Sequence, residues 1–134
     1  MTISFTVPGK PVPMARPRVT SHGTYTPAKC KEYKEAVAIV AKAAMRGRKP
    51  LTGVISCDCY FVFEPPKSTP KGKIIDMIHA YHTTKPDTDN LLKAITDSLS
   101  GIVYVDDKQI AVIRGEKRYG YPARAEVEIS EEES

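Results

Sequence analysis

Of the five aspartates between Lys85 and Ile110, four stand in two pairs, Asp87 with Asp89 and Asp106 with Asp107. Carboxylates gathered this closely repel one another. The chemical reason to place them together is a hard divalent cation held by oxygen ligands, with Mg²⁺ the natural choice and Mn²⁺ a substitute. Such a site would do metal-assisted phosphate chemistry. Lys93 stands one helical turn beyond Asp89, where it could pair with that carboxylate or reach a phosphate bound at the cation.

The elements that must position these residues are visible around them. If Lys85–Asp89 is extended, Asp87 and Asp89 leave the same side of the backbone. Asn90 to Ser100 then reads as an amphipathic helix, with Leu91, Leu92, Ile95 and Leu99 in one arc, Asn90, Lys93 and Asp97 on the polar side, and Asp89 as its expected N-cap. Gly101 ends the helix, Ile102–Val105 reads as a short apolar strand, and Asp106-Asp107 follow at its exit. Neighbouring strand residues face opposite ways, so one of this pair can look at the first pair, and Asp107 is the choice. The competing role for Asp106-Asp107 is an ordinary turn ahead of the last two strands.

Elsewhere, Ile3, Phe5 and Val7 alternate with polar residues as in a strand with one buried face, ending at Pro8-Gly9. Lys10–Pro27 has too many prolines for a helix and reads as an extended arm carrying Arg16 and Arg18. Lys29–Arg46 has helical spacing at Tyr33, Val37, Val40, Ala41 and Ala44, with Thr26 and Pro27 as the start signal and Gly47 as the stop. Residues 54–63 alternate with Ile55, Cys57, Cys59, Phe61 and Phe63 on one face, the clearest strand in the chain. The stretch 64–84 is a Pro- and Lys-rich loop with one or two helical turns around Ile74, Ile75 and Ile78. Two strands joined at Gly120–Pro122 close the chain before an acidic end at 129–134 that reads as frayed. The order of elements predicts one α+β domain over residues 1–134, a mixed or antiparallel sheet packed with two main helices.

The 134 residues carry a formal charge of +4, and it is unevenly spread. All 20 Lys and Arg lie at or before Arg124, so residues 1–125 hold 20 cations against 11 anions, a net +9. A body that basic suits a polyanionic partner. Its candidate phosphate contacts are Arg16, Arg18, Lys67, Lys71, Lys73, Lys85, Arg114, Lys117 and Arg118. The amino terminus lacks a signal-peptide pattern, no run approaches a membrane span, and three cysteines fit a reducing compartment, so a cytoplasmic protein with no membrane partner is expected.

Cys57-x-Cys59 with His79-x-x-His82 could supply zinc ligands, but both cysteines share the strand face of Ile55, Phe61 and Phe63, where a thiol acts as a small hydrophobe. The DTDN segment lacks the glycine and terminal glutamate of an EF-hand loop. A DNA-binding module without catalysis explains the basic body equally well.

Taken together, the string from Lys85 to Ile110 resembles the RusA-type endodeoxyribonucleases, Holliday junction resolvases frequent in phages and prophages. It resembles them in K-P-D-x-D-N-L-x-K, D-x-L and DD-x-Q-I, and the amino-terminal GKPVPMARPR is similar to that family's opening segment. The resemblance implies that Asp87, Asp89 and Asp107 bind Mg²⁺, that Lys93 is needed for cleavage, that Asp106 is an auxiliary acid, and that the protein is a homodimer acting on four-way DNA junctions in recombination and repair. Symmetry adds its own argument for the dimer. A four-way junction is two-fold symmetric and must be cut on two strands, whereas the chain holds one carboxylate set.

Overall fold

The computed structural model describes residues 1–15, 18–21, 23–25 and 27–132. Strand β1 (Thr2–Pro8) is followed by a two-stranded ribbon, β2 (Arg18–Thr20) and β3 (Gly23–Tyr25), within the stretch expected to be a bare arm. Helix α1 (Ala28–Met45), strand β4 (Val54–Phe63), the short helix α2 (Lys71–Met77) and helix α3 (Thr88–Leu99) come next. A 3₁₀ turn at Asp107–Gln109 leads into β5 (Ile110–Tyr119), and β6 (Arg124–Glu132) ends the chain. Pro27 precedes α1, and Thr26, the expected cap, lies outside the described residues. The left-handed backbone at Arg46 and Gly47 stops that helix (φ 52° and 78°).

The main sheet has the order β1-β6-β4-β5 and is mixed: β4 runs parallel to β5 and antiparallel to β6. This corrects the expectation of a closing hairpin. The bend at Gly120–Pro122 does not fold β6 back onto β5, because β4 lies between them. Register puts the apolar residues of three strands on one face: Phe5 pairs with Val127, which pairs with Cys59 on its other side, and Val7, Ala125 and Phe61 line up the same way. Onto this face pack Tyr33, Val37, Ala41 and Met45 of α1 and Leu91, Ile95 and Leu99 of α3. Each large side chain buried there contributes roughly 1.5–3 kcal/mol of transfer free energy. Ser4, Thr6, Asp58, Glu126 and Glu128 occupy the opposite, open face.

The acidic end is not frayed as far as Glu132. Residues 129–132 belong to β6, the Glu131 carboxylate accepts the Gly53 N–H at 2.9 Å, and Glu131 N–H donates to Met1 O at 2.9 Å. Residues 133–134 lie outside the described set. Ile102–Val105 is not a strand either. Gly101, left-handed at φ 82°, turns the chain under α3, and both Ile102 and Val103 donate to Leu99 O. Val103 and Tyr104 fill the core, leaving Tyr104 in isolated bridges to Leu51 and Ser100.

Candidate functional site

The first carboxylate pair straddles a helix start. Asp87, not Asp89, is the N-cap: its backbone is extended (φ −70°, ψ 142°), its carbonyl accepts the Leu91 N–H at 3.1 Å, and its side chain makes no capping hydrogen bond. Asp89 sits inside the first turn, where a negative charge suits the helix dipole, and accepts the Asn90 N–H at 2.9 Å. Both side chains are exposed. The two acids therefore leave a bend rather than one face of an extended strand. Thr88, between them, is the first helical residue.

Along α3, Asp89, Lys93 and Asp97 are spaced four apart and share one exposed face, each about 6 Å further along the axis. Among the described residues Lys93 makes no ion pair with Asp89. Of the two roles open to Lys93, the i,i+4 ion pair is not formed. Asp97 pairs with Lys34 and ties α3 to α1.

The second pair is set by a capping box. Asp106 Oδ1 accepts the Lys108 N–H at 2.9 Å while Asp106 N–H donates to Gln109 Oε1 at 2.8 Å. The Gln109 amide then donates to Leu51 O and Gly53 O, both at 2.9 Å. Buried Tyr104 fixes the approach by donating its hydroxyl to Thr96 O on α3. Asp106 thus has a structural task of its own.

The ionisation of this pair is split. The Lys108 backbone N–H, and then the hydrogen bond with Asp107, hold the Asp106 carboxyl below the usual carboxylate range. The same shared hydrogen bond with Asp106 pushes Asp107 up, with partial desolvation and the Asp106 charge adding to it, Lys93 opposing and Asp97 adding a little. The turn itself is held near the Thr96 part of α3 by the Tyr104 hydroxyl. Among the described residues, no three His, Cys, Asp or Glu side chains stand close enough to hold one ion. The site as folded is two half-sites bordering one helix face. Their donors are exposed carboxylate oxygens, which by chemistry suit a hard cation.

The chain matches the family model described as Endodeoxyribonuclease RusA over residues 8–130. The chain belongs to the RusA family. Its members are endodeoxyribonucleases, hydrolases with Holliday junction resolvase activity that act on branched DNA and generally depend on a divalent metal. This RusA chain is also similar to the "Uncharacterized protein YqaN" of Bacillus subtilis (strain 168), 36% identical over 137 residues that cover 96% of each chain. No helix among the described residues is long and apolar enough to cross a membrane.

The basic residues fall into distinct groups. Lys67, Lys71, Lys73 and Lys85 are exposed, and Arg114 is exposed beside Asp58 at 3.5 Å. Arg16 lies outside the described residues, and Arg18 is placed only as part of β2. Lys117 and Arg118 have internal partners. Arg118 donates to Glu116 and to His79 O and stacks on the Tyr81 ring, 3.6 Å from its centroid. Lys117 donates to two loop carbonyls. The cysteines Cys57 and Cys59 lie in the core, where the hydrogen bond with the Cys57 thiol, and then burial, push Cys59 up.

His82 is buried between Phe63, stacked at 4.4 Å, and Tyr119, tilted at 4.8 Å. Burial lowers its pKa from the ordinary 6.5, and the Lys117 and Lys10 charges lower it further against one backbone hydrogen bond. The unfolded chain then takes up the proton more readily than the folded one. Stability contributed by neutral His82 is present above about pH 6.5 and is lost as pH falls below it. Melting between about pH 7.5 and about pH 5 should show a larger drop for the wild type than for His82→Phe. Equal drops would place the acid sensitivity elsewhere.

Proposed function

We propose that this RusA-family chain is a Mg²⁺-dependent homodimer that resolves four-way junctions by paired symmetric nicks. The observation that carries the reading is that Tyr104 bonds to Thr96 O, which brings the capped Asp106–Asp107 turn against the α3 helix that also carries Asp89 and Lys93. Asp87, Asp89 and Asp107 would hold the metal. Asp87 brings a carboxylate free of any capping bond, and Asp107 brings one from the capped turn.

When bound, Mg²⁺ supplies an acidified water and offsets charge on the phosphoryl oxygens. Lys93 presents an ammonium on the same helix face to the scissile phosphate. Asp106 keeps Asp107 in place through its cap, acting as an auxiliary acid. The exposed cations Lys67, Lys71, Lys73, Lys85 and Arg114, with Arg16 and Arg18 of the amino-terminal stretch, would meet backbone phosphates, and each nick would leave a 5′-phosphate. Incision of a synthetic junction, a flap and a linear duplex side by side in Mg²⁺ tests the reading. Symmetric cutting of the junction is expected. Binding without incision in Mg²⁺ or Mn²⁺ would make the chain a non-catalytic junction-binding module.

A second copy has a place to dock. β5 pairs with β4 along its length, and among the described residues its other edge is covered by residues 79–82 only toward Lys117–Tyr119. From Ala111 to Gly115 the strand is exposed, with Val112 at 51% and Ile113 at 46%. An open apolar edge invites strand pairing, and two such edges related by a two-fold axis would unite the sheets. Val112→Lys with Ile113→Lys should give a monomer in sedimentation velocity and abolish paired nicking. A dimer that persists would place the interface elsewhere.

A further inference from the structure

Lys117 is half-buried on β5, and its ammonium donates to Thr84 O and Pro86 O, each at 2.7 Å. Both carbonyls belong to the stretch that delivers Asp87 to the start of α3. Bonds from a cation to carbonyls are shorter and stronger than neutral ones, and an ammonium with three donors can serve both at once. The chain just ahead is laced to the same strand. His79 N–H donates to Tyr119 O, Tyr119 N–H to Ala80 O, and His82 N–H to Lys117 O, at 2.9, 3.0 and 3.0 Å.

Two residues along β5, Gly115 receives the first turns of α3. A Cβ added there would stand 2.8 Å from Thr88 Cγ2 and 2.9 Å from Leu92 Cδ1. Residues two apart in a strand face the same way. β5 therefore fixes the segment from residue 79 to residue 92 at successive points, with Asp87 and Asp89 between the held Pro86 and Leu92.

We propose that Lys117 is a positioning residue for the Asp87–Asp89 pair, holding the bend before α3 through the Thr84 and Pro86 carbonyls while Gly115 seats the helix. The role rests on the nuclease reading of that site, and it differs from the phosphate contact that a lysine in so basic a chain would otherwise be given. Lys117→Met keeps the apolar stem and removes the donors.

We expect three changes from it: amide exchange over residues 83–89 faster by at least ~10-fold, Mn²⁺ affinity measured by electron paramagnetic resonance weaker by ~10-fold, and junction cleavage at saturation slower by about 10–100-fold, the usual effect of losing a supporting contact behind a metal ligand. Junction affinity in EDTA and its salt dependence should stay within about two-fold, because no phosphate contact is lost. The opposite pattern overturns the proposal: unchanged exchange and Mn²⁺ affinity, with weaker binding and a salt slope reduced by about 1, would make Lys117 a phosphate contact. If Lys117→Met does not fold, Lys117→Gln is compared in the same way. Amide exchange reads the clamp without any cleavage, so a wild type that fails to cut would end the nuclease reading and leave the clamp to be judged separately.

Discussion

Asp89→Asn should bind a four-way junction as tightly as the wild type and cut it at least ~10³-fold more slowly, a loss of about 4 kcal/mol in transition-state stabilisation. The side chain is exposed in the first turn of α3, and among the described residues its one hydrogen bond is from the Asn90 N–H, which an asparagine oxygen can also accept. Folding would lose only the charge–dipole term, roughly 0.3–1 kcal/mol. What the substitution removes is a formal negative charge on a metal ligand. Anisotropy titrations in EDTA and single-turnover incision in Mg²⁺ separate the two effects. A variant that cuts within about ten-fold of the wild type would take Asp89 out of the metal site.

Lys93→Ala should slow cleavage by ~10²-fold, the scale of removing one charged or hydrogen-bonding group aimed at the transition state. It should weaken junction binding by no more than about three-fold, since one phosphate contact among many carries little of the affinity. The exposed position of Lys93 suits this split: among the described residues it has no ion pair, so no internal partner holds its ammonium. An i,i+4 surface pair would have contributed about 0.5 kcal/mol to folding and nothing to the chemical step. Equal losses in binding and cleavage would reduce Lys93 to one of the general phosphate contacts.

Where burial decides placement, the amino-acid pattern was readable. The alternation Ile55, Cys57, Cys59, Phe61, Phe63 and the arc Leu91, Ile95, Leu99 are the core of this fold, because a strand or helix with one apolar face has a single way to hide it. The acids proposed for the site stand out in composition, and their geometry does not. Asp87, Thr88 and Asp89 are all good residues at a helix start, so residue type could not choose the cap, and the choice turns an extended pair into a bend.

Long-range order was hidden for a different reason. The turn at Gly120–Pro122 is a local signal, whereas the insertion of β4 between β5 and β6 follows from pairing between distant segments. Lone glycines inside strand patterns mark close approach, and Gly115 carried that signal. Nothing in the sequence separates Lys117, held by two carbonyls, from the exposed Lys67, Lys71 and Lys73. Cations differ in their partners, which exist only after folding.

The central claim is that Asp87, Asp89 and Asp107 close on one cation across the face of α3. Anomalous scattering from Mn²⁺ in crystals of the protein locates that ion directly. A leading peak is expected with oxygens of all three carboxylates about 2.1–2.3 Å away, between the oxygen distances of Mg²⁺ and Ca²⁺. A peak held by the Asp106–Asp107 turn alone, with Asp87 and Asp89 directed elsewhere, would contradict it.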